Sequence, residues 1–417
     1  MRRVAILGGG FAGLCVAQRL ANSKAQIFII DQYWLDNNKR RGIPQANHLH
    51  VLLLEGQRLL ESLFPGILKE LLTAGATLVD WANDTYWQGP YGLYPRYSSP
   101  IKTLLFSRRL LDEIIYYRII HSNRKVVFIK GKVTRLICAK KKIVAVKYLA
   151  KQKIYQLDAD LFIECRGRGS NLATLLSESL FQVKKKKVEN TMQYLSIKLP
   201  KSYINLPNCK QFYLQADKKK QPLGIVISPI ENDHYILTFI ATVKDTFNHI
   251  KTIDNLLALI KSMSLSNVIS QKVDVTKFYI FRKLSNEKKY FSQLKLANLL
   301  VIGDAVCYLN PVYGQGMTIA LKQIFTIDKS LNKPYLRQQK QIEHKSRLAW
   351  WLAISEDLRW QRNKMPIIYC INKLLTLGLS MATRSMTIHS LFLRILHMNL
   401  WPRNFKIHSS LNREEEC

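Results

Sequence analysis

The chain has 417 residues, 47% hydrophobic and 22% charged, which excludes a disordered polymer and is long for one compact core. Sixty-three Lys and Arg against 29 Asp and Glu give a net charge of +34, which excludes attraction to a polycation. The lysines fall in short runs (Lys140–Lys142, Lys184–Lys187, Lys218–Lys220) between apolar segments, with no basic helix and no aromatic-interleaved motif. They are read as a solvated face, with no nucleic-acid partner expected.

Val4–Leu7 is a buried-strand run, followed at once by Gly8-Gly9-Gly10-Phe11-Ala12-Gly13. Leu14 to Leu20 reads as a helix and Ile27–Ile30 as a second apolar strand, ended by Asp31. Strand, glycine turn, helix, strand and acid make one βαβ unit. Gly8 permits the tight turn, Gly10 lets a pyrophosphate approach the backbone, and Gly13 lets the helix pack on the sheet. The helix N-terminus offers free N–H groups to phosphates, and Asp31 is placed to accept hydrogen bonds from an adenosine ribose. Too few apolar residues follow Arg2-Arg3 for a signal peptide.

Helices are predicted over 49–75, with Gly75 as a stop, and over 104–121. Short strands follow at Val126–Lys130, Val133–Ala139 and Ile143–Leu149, then a buried one at Leu161–Ile163 running into Gly167-Arg168-Gly169-Ser170. Between 190 and 290 the runs Tyr194–Leu199, Gln211–Gln215, Gly224–Ser228 and His234–Thr242 alternate apolar and polar, predicting a sheet with one covered face. Leu299–Ile302 returns to a wholly apolar strand, and 316–332 and 340–362 read as helices. The seven cysteines are scattered without a C-x-x-C pair, so neither a disulfide framework nor a zinc site is expected, and a reducing cytosol is the expected location. No metal is expected.

A second cluster carries as much chemistry as the first. The strand Leu299–Ile302 delivers Gly303-Asp304-Ala305, and Asn310-Pro311-Val312-Tyr313-Gly314-Gln315-Gly316-Met317 opens another helix. A carboxylate suits a polyol chain, and a helix N-terminus suits a ring that becomes negative on reduction; both are demands of FAD rather than NAD.

With these pieces in place the sequence resembles the flavoprotein monooxygenases of the para-hydroxybenzoate hydroxylase type, closest to a branch with bacterial FAD hydroxylases and polyether epoxidases. The matching motifs run in order over roughly residues 1–360. They are Gly8–Gly13, Arg41-Gly42-Ile43-Pro44-Gln45 with His48 and His50, Phe64-Pro65-Gly66, Ser107-Arg108, Gly167–Ser170, Gly303–Ala305 with Asn310–Met317, and Glu356–Arg359. The fold implied is α/β: a Rossmann-like FAD-binding domain over 1–180 and 296–335, an inserted antiparallel β-sheet substrate domain over 181–295, and C-terminal helices over 336–417.

The resemblance implies cofactor contacts at Gly8, Gly10, Gly13 and Asp31, with Asp304 on the ribitol and Arg108 on the phosphates. It places Arg41 near the ring edge, Pro311 beside the ring, and Gly314 and Gly316 under it. Gln45, His48 and His50 would line the substrate pocket, with a satisfied core histidine as the other reading. No catalytic base is readable. The implied reaction uses NADPH or NADH and O2 to hydroxylate or epoxidise a lipophilic small molecule through a flavin C4a-hydroperoxide. A flavin reductase of an isoprenoid and a catalytically decayed flavoprotein are the alternatives. The halogenase pattern W-x-W-x-I-P is not met by Trp350–Ser355. The decayed reading is motivated by Arg166, where the family usually has an aspartate or a small residue, by Asn171 in place of arginine, and by Cys307 in place of histidine.

Over 366–400, one continuous helix would bring Lys373, Arg384 and Arg394 within about 80° of each other. Two readings stand: a basic helix lying on a membrane surface, which would make the cytoplasmic protein peripheral to the membrane, or helices packed on the first domain with their cations solvated.

Overall fold

The computed structural model describes residues 1–33, 48–122, 125–217, 222–263, 265, 267–270, 273–282, 285–360 and 366–399. Its centre is a five-stranded parallel sheet in the order Leu299–Val301, Leu161–Glu164, Arg3–Leu7, Gln26–Asp31, Val126–Lys130. Val4–Leu7, Leu161–Ile163 and Leu300–Val301 are fully buried. Runs that are apolar on both faces become interior parallel strands because layers cover both sides. Helix Phe11–Arg19 packs on helices Arg108–Ser122 and Gly316–Ile324. A three-stranded meander, Lys132–Ala139, Lys142–Ala150 and Lys153–Asp158, stands beside this core.

A second sheet has seven strands in the order Phe278–Phe281, Gln193–Pro200, His234–Ala241, Leu223–Ile230, Gln211–Leu214, Thr85–Gly89, Gly92–Leu93. Its pairs are antiparallel except Gln211–Leu214 with Thr85–Gly89. The last two strands come from the early part of the chain, so the sheet is not confined to 181–295. Leu195, Ile197, Phe212, Ile225, Leu237 and Phe239 point to one face and form a separate core with Leu256 and Ile260 of helix Ile253–Ser262. That helix was not predicted. The opposite face is not left to solvent either; it walls a cavity described below.

Several predicted helices are shorter than their patterns. The 49–75 segment is two helices, Leu54–Leu63 and Ile67–Thr73, parted at Phe64-Pro65-Gly66. Pro65 disfavours helical geometry at Phe64, and Gly66 turns the chain at φ 82°. The Glu61 carboxylate accepts from the N–H groups of Gly66 (2.6 Å) and Leu68 (3.0 Å), capping the second piece. The helix predicted over 104–121 begins only at Arg108; Leu104 and Leu105 belong instead to the strand Lys102–Leu105, paired with Thr77–Asp80. The 316–332 helix ends at Ile324, and 340–362 is the end of one helix, Tyr335–Lys345, and all of a second, Arg347–Trp360, separated at Ser346. Of the two readings for 366–400, one continuous helix is not what forms: the segment holds two helices, Pro366–Ala382 and Met386–Leu396. The second starts where the Ser385 hydroxyl accepts from Ile388 N–H at 3.4 Å. Helix Pro366–Ala382 runs unbroken through Gly378 and Ser380.

Candidate functional site

The glycine turn is built for backbone contact. Gly8 sits at φ 105°, and a side chain there would lie 2.8 Å from the Arg166 nitrogen; one at Gly13 would lie 1.9 Å from the Gly8 carbonyl oxygen. The turn and helix are therefore locked together without Cβ atoms. Gly10 precedes helix Phe11–Arg19 and supplies no capping side chain, and the first turn carries no acid. Its N–H groups are thus a seat for an anion. Asp31 ends its strand with one oxygen accepting from Gly9 N–H (2.6 Å) and the other from Tyr33 N–H (2.7 Å). The carboxylate thus holds the turn in place.

The second cluster meets the first. Asp304 follows Gly303, which is at φ 66° and donates its N–H to the Gln323 amide oxygen at 2.7 Å. Gly316 opens helix Gly316–Ile324 beside Asp304; an added Cβ would be 3.4 Å from the Asp304 Oδ1. Desolvation pushes the Asp304 carboxyl up to about 6, while the charges of Arg108 and Arg168 pull it down. Arg108 pairs with Asp112 at 2.9 Å and lies over the Phe11 ring. It thus reaches both glycine turns through its charge, while one of its nitrogens is committed within its own helix. Gly314 is at φ 62°, and the Asn310 side chain accepts from Val312 N–H (3.3 Å) to shape the turn. At the start of the helix, Gln315 Oε1 and Thr318 Oγ1 are buried with no hydrogen-bond partner among the described residues. Thr318 Oγ1 faces Gly56 of the neighbouring helix, whereas Gln315 Oε1, at the uncapped helix end and on the wall of a cavity, fits a polar group bound there. Together the two clusters have the features a flavin dinucleotide requires. Arg41 and Gln45 lie outside the described residues.

The three departures from the family pattern each have a local partner. Arg166 grips the fully buried Glu164 carboxylate, with Nη2 at 2.6 Å, and donates from Nη1 to Asn171 Oδ1 at 2.9 Å. Its charge is cancelled within the strand end rather than offered to the cofactor pocket. Cys307 is buried against Ser346, and burial pushes its thiol up to about 12, so it stays a neutral thiol. Arg166→Ala leaves the Glu164 carboxylate buried without its cation. It is expected to destabilise the protein by about 2 kcal/mol, between an exposed pair and a fully buried one because the arginine reaches the surface. Urea unfolding of the single variants and of Arg166→Ala with Glu164→Ala checks this: the double variant should recover part of the loss.

A cavity of about 390 Å³ lies next to the second turn. Its walls come from three directions. Tyr194, Tyr213, Val226 and Ile240 project from the second sheet, with Met192 just before its strand Gln193–Pro200; Pro311, Val312, Gly314 and Gln315 come from the turn, and Leu375, Leu379, Phe392 and Leu396 from the C-terminal helices. The sheet residues are alternate positions, brought side by side by registers such as Tyr194 opposite Ile240 and Tyr213 opposite Val226. Polar groups are few. His48 and His50 line the wall, and His48 Nδ1 bonds Ser196 Oγ at 2.8 Å, which bonds Thr238 Oγ1 at 2.8 Å. Desolvation lowers His48 to about 4, so its ring is neutral at pH 7. Under the turn, Tyr194 donates to Asn310 Oδ1, Asn310 N–H donates to Asn286 Oδ1 at 2.7 Å, and Asn286 donates to Asp357. This buried chain ties sheet, turn and C-terminal helix together. Tyr194, Ser196 and Thr238 were not singled out from sequence; their shared parity along paired strands was the available signal.

The sequence model of a family described as "FAD binding domain" matches residues 1–345. A Mycobacterium tuberculosis protein, Protein Rv3254, is 24% identical over 348 residues, covering 78% of this chain and 72% of its own. Among solved structures, p-nitrophenol 4-monooxygenase PnpA from Pseudomonas putida is similar with a TM-score of 0.68 at 10% identity, covering 97% of this chain and 100% of its own. The flavin-dependent brominase Bmp2 is similar with a TM-score of 0.68 at 15% identity, covering 95% and 93%.

Proposed function

The chain belongs to the FAD binding domain family and is a flavoprotein oxidoreductase, and from that premise we propose that it is a monooxygenase acting on a lipophilic small molecule with O2 and NADPH or NADH. The observation that carries this reading is the single cavity shared by the Pro311–Gln315 turn, the inner face of the second sheet and the C-terminal helices. An apolar chamber opening on the expected ring position suits insertion of an oxygen atom into an apolar substrate, with water kept out.

Asp304 would hold the ribityl hydroxyls, Gly8, Gly10, Gly13 and Asp31 the adenosine half, and Arg108 the phosphates. Gly314 and Gly316 would let the ring lie on backbone N–H groups, with Pro311 at its side. Bound FAD supplies the redox chemistry, taking two electrons from NAD(P)H so that O2 gives one atom to substrate and one to water. The protein's part is placement. Tyr194, Met192 and Phe392 shape the chamber, and neutral His48, fixed through Nδ1 by Ser196, offers a hydrogen-bonding group to the substrate without a buried charge.

The visible spectrum of the purified protein, followed by NADPH addition in an oxygen electrode, tests the reading. A flavin band that bleaches, with O2 consumed and product formed only in air, is expected. Product formed equally without O2 would replace this reading with the isoprenoid reductase one. Asp304→Asn is expected to weaken FAD retention by tenfold or more, the loss of a charge-assisted hydrogen bond worth about 1.5–3 kcal/mol.

A further inference from the structure

The C-terminal hairpin has two apolar faces, and only one is used by the fold. The inner face, Leu375, Leu379, Phe392 and Leu396, walls the chamber. The outer face of helix Pro366–Ala382 carries Leu374 (69% exposed), Leu377 (58%) and Met381 (45%), at spacing i, i+3, i+7. Gly378 lies in the same stripe, where an added Cβ would meet nothing within 4 Å. Met386 and Leu391 extend the exposed apolar surface on the next helix. The hairpin is docked rather than frayed: Tyr91 donates to Thr376 Oγ1 and Tyr97 to the Met386 carbonyl oxygen, both at 3.1 Å. A row of large apolar side chains held in water on a fixed helix marks a contact surface.

Charge identifies the contact. Between Asp357 and Glu414 the sequence has nine lysines and arginines and no acid. Lys373 and Arg384 are exposed on this hairpin, at the two ends of the Leu374–Met381 stripe. Two copies of such a face would bring cation to cation. No described helix is long and apolar enough to cross a bilayer. Apolar stripe, flanking cations and short length together describe a helix lying in the plane of an anionic lipid surface.

We propose that the outer face of helix Pro366–Ala382 docks on anionic membrane, which sets the hairpin that walls the chamber against the lipid from which an apolar substrate partitions. The docking stands on the hairpin's own geometry; the delivery of substrate rests on the monooxygenase reading. Cosedimentation of the full chain with phosphatidylcholine vesicles, with and without phosphatidylglycerol, tests it. The wild type is expected to sediment with the phosphatidylglycerol vesicles. The variant L374Q/L377Q/M381Q, which keeps the net charge, is expected to bind at least about tenfold more weakly. Gly378→Leu is expected to bind several-fold more tightly. Equal binding of wild type and triple variant would show attraction by net charge alone and overturn the proposal, as would no binding by the wild type. A dimer in sedimentation velocity that the triple variant dissolves would assign the face to a second copy instead. None of these readouts uses turnover, so failure of docking and failure of the oxygenase chemistry are distinguished.

Discussion

Gly13→Ala is expected to yield a protein that retains no flavin and has lost at least about 3 kcal/mol of stability, the upper end of ordinary overpacking. The new methyl carbon would stand 1.9 Å from the Gly8 carbonyl oxygen and 3.3 Å from Ile6 Cγ2. Gly8 has no room to retreat. It donates its N–H to Ile30 O at 2.8 Å, and even a Cβ added on its other side would stand 2.8 Å from the Arg166 nitrogen and the Cys165 carbonyl carbon. The helix must lift from the sheet, carrying its N–H groups away from the phosphate position. Alanine's better helix propensity returns about 1 kcal/mol, too little to offset this. Gly169→Ala is the control: an added Cβ there meets nothing within 4 Å, so a change within about 0.5 kcal/mol is expected. The ratio of flavin to protein absorbance and the urea midpoint read both effects. A Gly13→Ala protein that keeps its flavin would refute the close approach.

The second large effect is acid lability of the flavin-free protein. Burial lowers His48 and His389 to about 4 and His397 to about 3. The unfolded chain takes up these protons near pH 6.5, well before the folded one does. Stability is therefore complete above pH 6.5 and is lost as pH falls towards 4. Asp304 acts in the opposite sense: its pKa is raised from 3.8 to about 6, so its contribution is present below 3.8 and lost as pH rises through 6. At pH 5 the unfolded state holds three histidine protons more and one aspartate proton fewer, a net of two. From these four groups the slope is about 3 kcal/mol per pH unit. His389 has neither ring nitrogen bonded among the described residues and stacks on Tyr94 at 5.0 Å. His389→Phe is expected to cut the slope by about half and to raise stability at pH 7. His397 differs, since its Nδ1 accepts from Leu54 N–H at 3.2 Å, and removing it also strips that helix end. Both histidines belong to the C-terminal hairpin, so acid should loosen the chamber wall first. Urea midpoints at pH 5, 6 and 7 measure this; a flat profile would mean these rings are solvated.

The two glycine turns and their carboxylates were legible because their backbone requirements are local. Gly8 and Gly13 are demanded by backbone geometry within six residues. Asp31 and Asp304 each close an apolar run short enough to count along the chain. The same locality marked the buried parallel strands, whose four-residue apolar runs need both faces covered. Helix ends were less legible, because Lys102–Leu105 is a strand only by virtue of its partner Thr77–Asp80. The early strands Thr85–Gly89 and Gly92–Leu93 joined the distant sheet for the same reason: pairing, not propensity, assigned them.

Tertiary structure alone decided the rest. His48 meets Ser196 across 148 positions of sequence, and Ser196 meets Thr238 across 42. Arg166 looked like a stray cation in a cofactor pocket until Glu164 was seen to point at it. The C-terminal segment left one basic helix and several packed helices both open to pattern reading, and it is a hairpin with a used face and a spare one. By itself the sequence determined where the backbone must turn and which runs must be buried, since glycine geometry and apolar periodicity act within a few residues. Which side chains share a wall, a charge or a hydrogen bond depends on which faces are brought together, and that is set by long-range packing.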